Sequence, residues 1–465
     1  MRFFAQRRRG AKITDQSVSG RDSTPVSPID AEDLLSRFFL RASASLREYP
    51  LHILAGFLLL PPLCAQTFDT AGHLKYRLQV AAFPSDSLYH ELMGGSSFDQ
   101  ALAFRYNLGV RYKEWDALAN YQLQGVTGDT YEVSQEFPEF GFLPGGLPND
   151  DHRLFDLTRV ISEGDHSALL HRLDRLSVGY TGGQGVVRFG RQAISWGNGL
   201  VYNPMDFFNP FDPTAIDKDY KTGDDMLYGQ YLQNNGNDLQ AVWVIRRDLF
   251  GDLTSDVDSI ALKYHGFISD FEFDLLVAEH FDAQIAGVGA IFSLGGGILR
   301  GDAMVTRTED EIVFSAVASY STSWTWWDRN MSGLIEVFSN GFGQANGDYS
   351  PESLIQNPDL LVRIGRGELF TLGREYLALS TMIEMTPLWM LTPNAFINLS
   401  DGSALVQVVS QHDIAQEWQI LASLNIPVGR NGSEYGGIET GIEVDGESTY
   451  LSTSLSFTFQ LAWYF

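Results

Sequence analysis

From about Leu74 onward, hydrophobic residues recur at every second position of the chain. At the C-terminus Leu451, Thr453, Leu455, Phe457, Phe459, Leu461, Trp463 and Phe465 fall on one face. Ser452, Ser454, Ser456, Thr458, Gln460 and Tyr464 fall on the other, with Ala462 the apolar exception. Period two marks a strand with one apolar and one polar face, because successive side chains point to opposite sides of a sheet. The same alternation sets Phe98, Leu102, Phe104, Tyr106, Leu108, Val110 and Tyr112 opposite Asp99, Arg105, Asn107 and Arg111. Further along, Phe271, Phe273, Leu275 and Val277 oppose Glu272 and Asp274, and Trp418, Ile420, Ala422, Leu424 and Ile426 oppose Gln419, Ser423 and Asn425. In a soluble sandwich the apolar face is core. In a transmembrane barrel it meets lipid, and the polar face lines the lumen.

Phase separates these two readings. Walking back from the last strand, short turns fall near His412–Ile414, Thr386–Pro387, Ser323–Asp328, Ser269–Asp270, Asn235–Asn237, Thr181–Gly183 and Lys113. The long connections, roughly 428–449, 340–372, 194–227 and 126–168, then all fall at the opposite end. A soluble sandwich has no reason to obey that parity, whereas outer-membrane barrels have short periplasmic turns and long extracellular loops. The count is about 18 antiparallel strands, with 16 as the alternative, and Gly295-Gly296-Gly297 leaves 283–307 ambiguous. The fold class is therefore all-β, a transmembrane antiparallel β-barrel over 66–465, with both termini on the periplasmic side.

Residues 1–65 read differently. Arg7-Arg8-Arg9, Arg37, Arg41 and Arg47 precede an apolar run over Leu51–Leu60, and Pro61-Pro62-Leu63-Cys64-Ala65 follows. A basic region, a short apolar core and a small residue at the cut describe an export signal with cleavage after Ala65. The run is too short for a membrane-spanning helix, which needs about 20 apolar residues. Cleavage removes nine basic and six acidic residues, leaving 23 Lys+Arg against 52 Asp+Glu. So acidic a chain lacks the basic footprint of a nucleic-acid partner. One cysteine excludes an intramolecular disulfide framework and a Cys-rich metal site.

Two stretches resemble known families. Phe459, Leu461, Trp463 and Phe465 resemble the closing strand of Gram-negative outer-membrane barrels, whose terminal Phe and spaced apolar residues serve as the assembly signal. The resemblance implies that Phe465 and Trp463 address the barrel assembly machinery, and that outer-membrane lipid and lipopolysaccharide surround the product. The block Gly190-Arg191-Gln192, Trp196-Gly197, Asn203-Pro204-Met205-Asp206, Asn209-Pro210 is similar to one in porin-like outer-membrane proteins near the alginate-export and related 18-stranded barrels. It covers about 45 residues and implies a channel without naming a solute.

That block opens the connection 194–227, whose prolines and Asn-Pro turns make it stiff. A fully solvated loop has no need of Met205, Phe207, Phe208 and Phe211. The connection is expected to fold inward and narrow the pore, with Trp196, Asn203, Asp206, Phe207, Phe208, Asn209 and Asp212 as its constriction residues. The inward phase of the strands carries Arg105, Arg111, Arg175, Arg188, Arg246, Lys263, Glu272, Asp274 and Arg300 as pore-lining candidates, together with Asp99, Asp174 and Asp302. Charges of both signs on opposing walls would favour polar solutes; the plainer reading is that they solvate the wall and pair with one another.

Acids gather at Asp212, Asp217, Asp219, Asp224 and Asp225 and at Asp150, Asp151 and Asp156. No spacing matches an ordered calcium loop, so these are read as solvated loop surface and no metal or cofactor is expected. Ser339-Asn340-Gly341 is similar to the Ser-Asn-Gly of outer-membrane phospholipases, but Val337 stands where that family's His would be. A nucleophile without its base is inactive, so no enzyme is expected. Only about eight residues lie between Gln66 and Leu74, which leaves no room for a plug domain. The expectation is an outer-membrane channel for small polar solutes. The alternatives are a surface-binding barrel whose Trp196, Phe207 and Phe208 stack on a polysaccharide, or an export conduit with a periplasmic partner.

Overall fold

The computed structural model describes residues 67–137 and 146–465; residues 1–65, read from the sequence as an export signal, lie outside the described residues. Eighteen antiparallel strands close into one barrel. They are β1 (Thr67–Ala82), β2 (Ser96–Tyr112), β3 (Trp115–Gly128), β5 (Ser167–Gly182), β6 (Gly185–Gln192), β7 (Asp224–Leu232), β8 (Asp238–Val244), β9 (Ser259–Ile268) and β10 (Phe271–His280). Then come β11 (Ala283–Leu294), β12 (Gly297–Arg307), β13 (Ile312–Trp326), β14 (Arg329–Ser339), β15 (Glu375–Thr386), β16 (Trp389–Asn398), β17 (Ala404–Ala415), β18 (Trp418–Val428) and β21 (Leu455–Tyr464). The short strand β4 (Thr158–Glu163) takes the edge of β5 above the point where β6 leaves it. β19 (Ile438–Val444) and β20 (Glu447–Leu451) form a two-stranded sheet of their own.

Closure is made by β1 against β21, with Tyr76 opposite Leu461 and Ala82 opposite Leu455. At its base Gly72 and Phe465 exchange both backbone hydrogen bonds, at 2.8 and 3.1 Å. A Cβ on Gly72 would lie 2.3 Å from the Arg105 carbonyl oxygen and 2.5 Å from the Phe465 ring, so only glycine lets the strands meet there.

One end of the barrel, the turn end, carries only tight connections. Trp327 and Asp328 link β13 to β14 with φ of 50° and 55°, the left-handed pair that matches strand twist. Gly295 and Gly296 do the same for β11 and β12, which resolves the ambiguous 283–307 as a hairpin. Every long connection lies at the other, loop end, including Leu88–Met93 (α1), Asp129–Glu136 (α2), Pro351–Ile355 (α3) and Pro358–Gly365 (α4). Two boundaries differ from the sequence reading. The last barrel strand begins at Leu455 and not at Leu451, and the first runs sixteen residues from Thr67.

The outer surface carries the apolar phase. Val178, Val288, Phe314 and Val337 are exposed, and their neighbours in sequence turn inward and are buried. Trp115, Tyr180, Tyr231, Trp326, Trp327, Trp418 and Phe465 ring the turn end, as interface aromatics do. Core packing lies inside the barrel.

Candidate functional site

The connection Ala193–Gly223 between β6 and β7 folds into the interior. We refer to it as the strap; Asp224 to Leu227, included in it on sequence grounds, belong to β7. Gly190 starts the departure with φ 122°, where a Cβ would meet the Leu176 carbonyl oxygen at 2.2 Å. Arg191 is fully buried and spends its fork on Asp225 (2.9 Å twice), Asp150 (2.8 Å) and the Phe155 carbonyl (2.5 Å). One guanidinium thus ties the root of the strap to β7 and to the loop after α2.

The first half of the strap is held by apolar packing. Trp196, Met205, Phe207 and Phe208 join Met226, Val242, Val244, Ala261, Leu276, Ile285 and Met304, which are inward residues of β7 to β12. Burying four such side chains contributes roughly 6–12 kcal/mol gross. Tyr202 stacks on Phe338 at 4.9 Å and packs beside Tyr376 and Phe396, so the strap also reaches β14 to β16. Polar groups fix its path. Trp196 Nε1 donates to Gln240 (2.8 Å), and Asn203 Nδ2 closes the turn onto the Trp196 carbonyl (2.8 Å). Asn198 donates from its backbone and its amide to Asp302 (2.6 and 2.7 Å). Glu336, wholly buried, accepts the backbone N–H groups of Leu200, Val201 and Tyr202 at 2.8, 3.0 and 2.6 Å.

The second half is held by charge. Lys75 of β1 lies 2.7 Å from Asp217 and 2.6 Å from Asp219. From β21, Gln460 donates to Asp217 and Tyr464 to Asp219, both at 2.9 Å. Arg105 of β2 lies over the Tyr220 ring at 3.8 Å, and Gln407 of β17 donates to the Thr214 carbonyl. Burial would raise the Asp217 carboxyl; the Lys75 ammonium and the Gln460 amide outweigh it and hold the carboxyl below its ordinary range. Lys221 returns to the strap itself, pairing with Asp206 and donating to the Ile194 carbonyl. The strap therefore has anchors on both sides of the lumen, from β7–β16 across to β1, β2, β17 and β21.

The architecture is that of an all-β transmembrane barrel, closed and antiparallel.

No protein-family model and no curated protein matches the chain. Among solved structures it is similar to OccK5 (OpdH) of Pseudomonas aeruginosa, with 9% identity over 86% of this chain and 98% of that one, TM-score 0.48. It is similar also to Wzi of Escherichia coli, described as a carbohydrate-binding barrel involved in group 1 capsule assembly, with 11% identity, 86% and 85% coverage and TM-score 0.47. A BenF-like porin from Pseudomonas fluorescens gives 9% identity, 86% and 99% coverage and TM-score 0.47.

In this barrel the charged candidates occupy the inward phase mostly as neighbouring pairs. Arg105 meets Asp174 (2.8 Å), Arg188 meets Asp116 (2.9 Å), Arg246 meets Asp224 (3.1 Å), and Lys263 meets Asp274 (3.0 Å). Arg175 binds Asp174 (2.9 Å) and the Lys221 carbonyl, and Arg300 donates to Ser321 (2.9 Å). Glu272 is half-buried and Arg111 exposed, both without a described partner. Opposite charges thus sit side by side on one wall more than they face each other across it. Asp174 and Arg175 are consecutive yet both buried, because a bulge opposite Asn120 and Tyr121 shifts the phase of β5.

Among the strap candidates, Trp196, Asp206, Phe207 and Phe208 are buried against the wall, and Asn209 takes a left-handed turn at φ 53°. Asp212 accepts from the Thr214 N–H and hydroxyl at 2.8 Å. Trp196, Phe207 and Phe208 therefore offer no free face for stacking a sugar. The acids read as solvated surface are corrected too. Asp150, Asp224 and Asp225 are buried in ion pairs with Arg191, Arg153 and Arg246, and Asp217 and Asp219 hold Lys75. Sequence reasoning missed Lys75, Gln240, Glu336 and Tyr220. Glu336 carried a readable signal, a lone acid on the inward phase between outward Ile335 and Val337.

Proposed function

We propose that the protein is an outer-membrane channel for small polar solutes in which the strap sets the width of the passage, with both chain termini at the periplasmic end. The observation that carries this reading is the strap's attachment to opposite walls at mid-barrel, apolar on one side and ionic on the other. A barrel of about 18 strands is wide enough for an aqueous lumen, so a strap drawn across it converts a wide bore into a narrow one. Open cavities flank it. One lies toward the loop end between Tyr202, Phe211 and Phe370, and one lies toward the turn end beside Asn107. The assembly machinery is the partner that Phe465 and Trp463 would address, and lipid surrounds the apolar band. Reconstitution in planar bilayers tests the reading. Stepwise currents are expected, and deletion of Asn203–Pro213 should enlarge them; a protein that folds and inserts but carries no stepwise current overturns it.

A further inference from the structure

The turn-end cavity holds a second arrangement that the strap does not use. One row of inward residues crosses five adjacent strands at nearly the same level. Asp69 of β1 lies opposite Gly109 of β2, Arg111 of β2 opposite Asp116 of β3, Asp116 opposite Gly179 of β5, and Gly179 opposite Arg188 of β6. Arg111 and Asp116 are direct cross-strand partners, the geometry in which opposite charges pair. They do not. Asp116 turns the other way, over Gly179, and bonds Arg188 at 2.9 Å. Gly179 makes this possible, since a Cβ there would lie 2.5 Å from Asp116 Oδ1. The consequence is an exposed Arg111 guanidinium without an acceptor and an Arg188 Nε buried without one, among the described residues. Asp69, diagonal to Arg111 across the β1–β2 pair, is likewise exposed with no described partner. Arg111, Arg188, Asp69 and Asp116 all line the one cavity.

We propose that this vestibule binds a small zwitterion, its carboxylate on Arg111 beside Arg188 and its ammonium on Asp69. The charges lining the cavity sum to zero. A solute carrying one charge would therefore meet attraction and repulsion together, whereas a zwitterion can satisfy both free groups. A guanidinium fork matches a carboxylate in a two-bond geometry, while solvent at an open site keeps affinity near the millimolar range, on the order of 1 mM. The site deepens the channel reading and rests on it only for the route by which a solute arrives.

Isothermal titration of the full chain in detergent solution tests the site with γ-aminobutyrate, butyrate and n-butylammonium, which share a carbon skeleton. γ-Aminobutyrate should bind at least about tenfold more tightly than either singly charged probe. Arg111→Gln and Asp69→Asn should each erase that preference; both positions are exposed, and heat-modifiable migration on gels verifies folding. Gly179→Ala removes no charge but forces Asp116 off Arg188 toward Arg111, and should weaken γ-aminobutyrate binding as well. Butyrate binding as tightly as γ-aminobutyrate, no binding of any probe, or a preference that survives both charge variants overturns the proposal. Binding in detergent requires no through-flow, so a silent bilayer with intact binding would remove the channel and leave the site.

Discussion

Replacing Lys75 by Met removes one ammonium from two carboxylates. Lys75 is 7% exposed in its side chain, while Asp217 and Asp219 are 24% and 41% exposed. Breaking a fully buried ion pair costs about 3–5 kcal/mol because a charge is left unpaired, and exposed pairs contribute about 0–1 kcal/mol. The partial exposure of both aspartates places this site between, at about 2–3 kcal/mol. Each 1.4 kcal/mol is a factor of ten, so the ratio of released to tethered strap should rise roughly 30- to 150-fold. The apolar half of the strap keeps its packing on β7–β12, so only the limb from Thr214 to Tyr220 is freed. Single-channel recording in planar bilayers is the assay. Lys75→Met should lengthen or enlarge the open events, and Lys75→Arg, which keeps the charge, should stay near the parent. Traces of Lys75→Met indistinguishable from the parent, or Lys75→Arg behaving like the Met variant, would refute the reasoning.

Three further outcomes follow from the same contacts. Arg191→Met strands Asp225 and Asp150 in a buried site and should destabilise the barrel by about 3–5 kcal/mol in denaturant unfolding; a loss under 1 kcal/mol would contradict the role given to that guanidinium. Burial lifts the Glu434 carboxyl to about 7, where it accepts from Tyr376, Asn398 and the Leu372 N–H. The native state holds the proton that the unfolded chain releases above about 4.3, so the docking this group supports is full below that pH and fades as pH rises through 7. Amide exchange at Ser433–Tyr435, corrected for intrinsic rate, should be slower at pH 5 than at pH 8 and flat in Glu434→Gln. Gly72→Leu sets a side chain against Phe465 and the Arg105 carbonyl, and should abolish the heat-modifiable folded band.

The strands were legible because they follow one local rule, apolar toward lipid and mostly polar inward, over seven to seventeen residues. The sidedness of the long connections followed from counting. What escaped depends on partners distant in the chain. Lys75 meets Asp217 and Asp219 more than 140 residues away, so neither end alone shows that the acids are paired. The bulge at Asp174 changes the phase within β5 and places two consecutive residues inside. The Gly295-Gly296 turn was hidden because its glycines continue a Gly-rich stretch. The strap's aromatic residues did announce that they needed a wall; which wall residues they found is a property of the closed barrel.

The most direct test of the central claim, that the strap crosses the lumen and controls passage, is a reversible cross-link. Asp217 and Gln460 touch at 2.9 Å across the junction between strap and β21. A double variant, Asp217→Cys with Gln460→Cys, should be bridged by a short thiol-specific cross-linker carrying a cleavable disulfide in its spacer, and single-channel current should rise when that spacer is reduced in the same bilayer. Failure of the cysteines to cross-link in the folded barrel, or a current that does not change on reduction, would contradict the account.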